Sequence, residues 1–204
     1  DENKIINCLN KINLCFLFAP NFHPILKNVA EIRKKIGKRT IFNILGPLLS
    51  PVECKKQIMG VYDINILMKV AEVLKKLETE HAWVVSGNKE YDELTTTGKN
   101  YIIEIKNKKI KELEIDSTLF GIQKSNKKDL IGGDSKKNAE IIKGILKGEI
   151  SGPKKDIVML NSASALYINN KVKDIESGLE IVNKTILSGD GFKKLNDLIE
   201  LSNS

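Results

Sequence analysis

Arginine is almost absent from this chain of 204 residues: of its 33 basic side chains all but two are lysine. The two exceptions, Arg33 and Arg39, fall in one segment, Ile32-Arg-Lys-Lys-Ile-Gly-Lys-Arg-Thr-Ile-Phe-Asn-Ile-Leu-Gly-Pro47. A composition that uses lysine wherever either cation serves, yet keeps arginine twice here, points to planar, two-pronged bonding to a carboxylate or phosphate. Chance, with a cation favoured near a helix end, weighs about equally on composition alone. Cysteine is also scarce. Cys8, Cys15 and Cys54 are odd in number and form no CxxC pair, which argues against a disulfide framework or a zinc site and suits a reducing, cytoplasmic setting. There is no apolar run of membrane-spanning length and no signal-peptide pattern, so no membrane partner is expected. The chain opens on Asp1, and its first residues already read as the body of a helix, as expected of a chain that starts in mid-protein.

A net charge of +7 and a pI near 9.1 raise the question of nucleic acid. The lysines are spread through nearly every segment with acids between them, and aromatic side chains do not interleave with them as in RNA-binding modules. A solvated lysine surface accounts for the charge, and nucleic acid is not expected as a partner. With 41% hydrophobic residues the chain can build a proper core.

Apolar residues Ile5, Ile6, Leu9 and Ile12 recur at helical spacing from Glu2 to Ile12. After Cys15-Phe-Leu-Phe-Ala-Pro20, the pair His23-Pro24 opens a second helix, closed by Gly37, with Ile25, Val29, Ile32 and Ile36 as its apolar stripe. Arg33 borders that stripe, and an arginine facing inward there needs an anionic partner or a wet cleft. Gly46-Pro47 reads as a loop.

Beyond it the pattern is that of an α/β domain. Gln57–Tyr62 reads as a strand, Asp63 as a cap, and Ile66–Leu77 as a helix. His81–Ser86 is a continuous apolar strand of the kind a parallel sheet buries on both faces. Asn100–Lys106 and Ile110–Ile115 form a hairpin. Helices are expected over Ser135–Lys147 and Pro153–Ile168, followed by two more divided at Ser188-Gly189-Asp190. The fold expected is α/β, a central mixed, largely parallel sheet flanked by helices.

Asp92-Glu93 lies in the loop that leaves the buried strand at its carboxyl end, where open α/β sheets place ligands. Paired carboxylates there suit a hard cation such as Mg2+. Adjacent acids are common on solvated turns. Combined with an inward arginine and the Gly-Pro segment, they define a site in which carboxylates hold metal for a phosphorylated substrate and arginine holds an anionic co-substrate.

The string Phe16-Leu-Phe-Ala-Pro20, His23-Pro24, Val29-Ala30, Arg33 and Arg39-Thr-Ile-Phe-Asn-Ile-Leu-Gly-Pro-Leu48 with Pro51 resembles the anthranilate phosphoribosyltransferase family. Gly60-Val61-Tyr62, Asp92-Glu93-Leu94, Gly132-Gly133-Asp134 with Asn138-Ala139, Gly148 and Leu160-Asn161-Ser-Ala-Ser-Ala-Leu166 continue the likeness in order along the chain. The resemblance implies a catalytic domain of the nucleoside phosphorylase/phosphoribosyltransferase type over residues 51–204. Residues 1–50 would be a remnant of a small helical domain, with the hinge and the anthranilate-channel segment. The implied reaction moves the phosphoribosyl group of phosphoribosyl pyrophosphate onto anthranilate, with Mg2+, in tryptophan biosynthesis. The implied roles are anthranilate binding by Arg33, His23 and Pro47, and metal binding by Asp92 and Glu93. No residue is assigned as a catalytic acid, base or nucleophile. Arg39 would hold the loop that shapes the channel. The parent protein would be a homodimer.

The sequence departs from the family pattern at Phe22, where many relatives carry a second histidine, and at Ser50, where asparagine is frequent. The family's Gly-Thr-Gly-Gly-Asp loop, whose backbone N–H groups cradle pyrophosphate, is expected upstream of Asp1. The chain by itself is therefore expected to be inactive. Gly132-Gly133-Asp134 reads instead as a turn before a helix. Two other readings remain open at this point: a pyrimidine-nucleoside phosphorylase, and a nucleic-acid-binding relative of the same fold without transferase activity.

Overall fold

The structure, a computed structural model, describes residues 2–23, 35–37, 40–50 and 52–203. The body of the helix expected from His23-Pro24, with Arg33, lies outside the described residues, as do Arg39 and Pro51. The chain divides into two compact units: Asp1–Glu53 with Lys193–Ser204, and Cys54–Phe192.

In the first unit, helix α1 (Glu2–Ile12) forms over the expected residues and buries Cys8 and Ile12, whereas Ile6 and Leu9 of the expected apolar face are exposed. Its last carbonyl, of Ile12, accepts a hydrogen bond from Lys194 Nζ at 3.1 Å. A short helix α2 (Ala19–Phe22) comes next. Lys35 and Ile36 are helical, and Gly37 follows at φ +63°, the left-handed conformation in which glycine ends helices. Ile36, assigned to an apolar stripe, is half exposed.

The segment expected to be a Gly-Pro loop is instead helix α3 (Phe42–Leu48). Thr40 N–H donates to Asn43 Oδ1 at 3.0 Å at its start. Proline is tolerated in its last turn for a local reason. The residue before proline is normally kept out of the α region by a clash involving its Cβ, and Gly46 has none.

In the second unit, β1 (Lys56–Gly60), β2 (His81–Gly87), β3 (Lys99–Lys106) and β4 (Lys109–Asp116) form a sheet in the order β1-β2-β3-β4. β1 and β2 are parallel, with Gly60 opposite Val85. β2–β3 and β3–β4 are antiparallel, so the sheet is mixed and its parallel character is confined to one pairing. Asn107 and Lys108, at φ +50° and +64°, make the tight turn between β3 and β4, whose backbone twist matches that of the strands.

Helix α4 (Leu67–Lys76), entered through a 3-10 turn capped by Asp63, packs on β2 and β3. The other face carries a short helix α5 (Lys127–Leu130), then α6 (Ser135–Leu146), α7 (Pro153–Ile168) and α8 (Ile175–Leu187). Helix α9 (Asp190–Asn203) ends the chain. Asp134 caps α6 by accepting from Lys137 N–H at 2.8 Å, so Gly132-Gly133-Asp134 is the expected turn into a helix.

Trp83 and Val85 of β2 join Ile102, Leu160, Ala163, Ile168, Leu179 and Ile186 in one buried cluster beneath α7 and α8. Alternation then aims Ala82, Val84 and Ser86 at α4. This two-sided burial explains the unbroken apolar run of β2, every residue of which is buried. Each large apolar side chain so buried stabilises the fold by about 1.5–3 kcal/mol.

Candidate active site

The loop from Asn88 to Gly98 crosses the carboxyl ends of β1 and β2, and two glycines admit it. A Cβ built on Gly60, the last residue of β1, would stand 1.5 Å from the carbonyl oxygen of Asp92. A Cβ on Gly87, the last residue of β2, would stand 2.3 Å from the carbonyl oxygen of Glu93. The main chain of the acidic pair therefore lies directly on the ends of the two parallel strands. This is the position that α/β sheets give their ligands.

A turn precedes the pair. Asn88 and Lys89 adopt φ +46° and +62°, and Gly87 and Tyr91 pair across them as an isolated bridge. Behind the pair, Leu94, Thr95 and Thr96 are fully buried. Leu94 N–H donates to Asn161 Oδ1 at 3.1 Å, and Asn161 Nδ2 donates to Leu94 O at 2.8 Å. Thr95 N–H donates to Asn100 Oδ1 at 2.7 Å, and Asn100 Nδ2 returns to Thr95 O at 3.0 Å. Thr96 Oγ1 and Ser125 Oγ lie 2.7 Å apart, and Ser125 N–H donates to Thr96 O.

Against this fixed backbone Asp92 and Glu93 are exposed residues, although the Glu93 carboxyl itself is partly buried. Partial burial, and then the neighbouring Asp92 charge, push the Glu93 carboxyl above its usual range. A bound cation would relieve that crowding of negative charge. Among the described residues no group of three or more His, Cys, Asp or Glu side chains could hold a metal. The pair supplies two neighbouring carboxylates. That donor set fits Mg2+, which is held by one or two carboxylates while phosphate oxygens and water complete its shell.

Of the other expected site residues, Arg33 lies outside the described residues, and His23 and Pro47 belong to the first unit. His23 is half-buried and follows α2 directly. Pro47 lies in the last turn of α3. Sequence reasoning did not give Asn100 or Asn161 a role. Asn161 is marked only by the place of Leu160-Asn161 in the family likeness, and Asn100 carries no signal of its own.

The structure is an α/β unit with an exposed acidic pair over the ends of two parallel strands, and a family model described as the glycosyl transferase family, a/b domain, matches residues 1–192. The chain belongs to this family. Within it, the chain is similar to the anthranilate phosphoribosyltransferase of Clostridium kluyveri, with 42% identity over 203 residues that cover 100% of this chain and 60% of the relative. Its identity to the enzyme of that name from Thermoanaerobacter sp. is 48% over 185 residues, 91% of this chain and 54% of the relative. Among solved structures it resembles anthranilate phosphoribosyltransferase from Saccharomyces cerevisiae in complex with 4-fluoroanthranilate. There the TM-score is 0.92 at 26% identity, over 100% of this chain and 59% of that one. The same yeast enzyme is known in complex with PRPP and Mg, at a TM-score of 0.91 and 25% identity, with coverage of 100% and 58%. The chain thus spans about 60% of the length of the curated relatives it matches.

Proposed function

We propose that the protein transfers the phosphoribosyl group of phosphoribosyl pyrophosphate to the amino group of anthranilate, releasing pyrophosphate, as a step of tryptophan biosynthesis. The observation that carries this reading is the 42% identity over 203 residues to an anthranilate phosphoribosyltransferase. The pinned acidic pair at the ends of β1 and β2 supports it.

In this reading Asp92 and Glu93 hold Mg2+. When bound, the ion neutralises charge that builds on departing pyrophosphate. Loss of pyrophosphate leaves a cationic, oxocarbenium-like sugar, so the protein's own contribution is positioning and charge compensation, and no covalent nucleophile is required. Arg33 offers its planar fork to the anthranilate carboxylate, an interaction lysine cannot reproduce. His23 and Pro47 line the channel that aims the weakly nucleophilic amine. Arg39 holds the segment that leads into α3. The free thiols of Cys8 and Cys15 support a cytoplasmic setting. The reading includes a homodimer, as the family resemblance implies.

The test is an assay of the protein expressed from its whole reading frame, with phosphoribosyl pyrophosphate, Mg2+ and a panel of acceptors. Formation of N-(5-phosphoribosyl)anthranilate is expected. Phosphorolysis of pyrimidine nucleosides with no product from anthranilate would overturn the reading.

A further inference from the structure

Two consecutive peptide units immediately behind the acidic pair are each gripped by a side-chain amide from another part of the fold. Asn161, on α7, takes both main-chain groups of Leu94, accepting its N–H at 3.1 Å and donating to its carbonyl at 2.8 Å. The same Nδ2 also donates to Ile157 O at 2.9 Å, one turn back on its own helix. That third bond fixes the amide on α7, so Asn161 couples a rigid helix to the loop. Asn100 grips Thr95 in the same two-handed manner from β3. Leu94 is fully buried, so either of its backbone groups left bare would have no water to replace the lost bond. On the other side of the pair, the carbonyls of Asp92 and Glu93 rest on Gly60 and Gly87. The backbone that carries the two carboxylates is thus held before and behind.

We propose that Asn161 is a positioning residue for the Asp92–Glu93 carboxylates, fixing the backbone from which they reach a divalent cation. The proposal rests on the reading of that pair as the metal-binding carboxylates. Its physical content is preorganisation. An ordered pair binds a cation without first losing backbone and rotamer freedom, and groups that orient metal ligands are commonly worth 10–100-fold in metal affinity. Asn161 does not touch the metal, the substrate or the reacting atoms in this scheme.

The experiment compares the unaltered protein with Asn161→Leu, which removes every bond of the amide. Asn161→Asp is the milder companion: it keeps the shape and the acceptor for Leu94 N–H but sets a carboxylate oxygen against the carbonyls of Leu94 and Ile157. Leu179→Ala, in the buried cluster beneath α8, serves as a control of reduced stability. Asp92→Asn/Glu93→Gln marks binding at the pair. Two readouts are taken on each protein: amide hydrogen exchange at Leu94 and Thr95, and Mn2+ affinity by electron paramagnetic resonance, Mn2+ sharing the preference of Mg2+ for oxygen ligands. In both Asn161 variants the two amides are expected to exchange at least about tenfold faster than in Leu179→Ala, and Mn2+ to bind about tenfold more weakly. Equal exchange protection or equal Mn2+ affinity in the Asn161 variants and Leu179→Ala would overturn the proposal. If Asp92→Asn/Glu93→Gln binds Mn2+ as the unaltered protein does, the metal reading of the pair falls. Amide exchange then still decides whether Asn161 fixes the loop.

Discussion

Gly60 and the carbonyl of Asp92 are in such close approach that a methyl group on the glycine would overlap the oxygen, at 1.5 Å. The obstacle is backbone on both sides, so no side-chain rotation relieves it. Gly60→Ala is expected to move the acidic loop or the end of β1, at a cost of about 3 kcal/mol, the upper range for overpacking. Urea denaturation gives the loss of stability, and an unchanged midpoint would mean that the loop does not rest on β1 as described.

The sheet contains a second polar feature, remote in chemistry from the acidic pair. His81 Nε2 and Trp83 Nε1 lie 2.9 and 3.1 Å from the same oxygen, Oε1 of the buried Glu104. The indole N–H can only donate, and an ionised carboxylate only accepts, so His81 carries a proton on Nε2. Burial pushes the Glu104 carboxyl up, but hydrogen bonds from His81 and Trp83, with the charges of His81 and Lys106, outweigh it and hold the group below its usual value of 4.5. A carboxyl depressed on folding lends stability that is fully present above its unfolded value and is lost as pH falls through the folded one. Stability is therefore expected to decline as pH drops below about 4.5, and Glu104→Ala should flatten that decline while costing about 3 kcal/mol at neutral pH. Thermal melts from pH 7 to pH 3 measure both effects. A steep acid limb retained in the variant would assign the loss to other carboxyls.

Asp92 and Glu93 are exposed, so their loss should leave the fold within about 0.5 kcal/mol of its original stability. Activity should respond differently. Asp92→Asn and Glu93→Gln are each expected to lower kcat/KM for phosphoribosyl pyrophosphate about a hundredfold, or about 2.7 kcal/mol of transition-state stabilisation. A chelator should abolish turnover of the unaltered protein, and added Mg2+ should restore it. Turnover that persists in chelator would remove the metal role of this pair.

The strongest sequence signals were those whose cause is local. β2 is unbroken in its apolar run because both of its faces are covered. Asp63 and Asp134 cap the turns that follow them through hydrogen bonds to residues two and three positions on. The acidic pair was legible for a similar reason, as neighbouring carboxylates after a buried strand. What holds the pair was not legible, because the partners of Leu94 and Thr95 come from α7 and β3 and only the folded sheet brings them together. The Gly-Pro segment misled for the opposite reason. Both residues usually break helices, yet Gly46 removes the Cβ whose clash gives proline much of its effect on the residue before it.

Arg33 lies outside the described residues, and its role rests on chemistry and on family likeness. Benzoate-type carboxylates are flat and accept two parallel hydrogen bonds from a guanidinium, whereas the ammonium of lysine offers a point charge of different reach. If Arg33 holds the anthranilate carboxylate, Arg33→Lys preserves the charge and loses the fork. The KM for anthranilate is then expected to rise about tenfold or more, equivalent to about 1.4 kcal/mol, with the KM for phosphoribosyl pyrophosphate within about twofold of its original value. Steady-state kinetics with each substrate varied in turn separates the two. Equal rises in both constants would assign Arg33 a role in the fold and not in substrate binding, and an unchanged constant for anthranilate would remove it from the substrate channel.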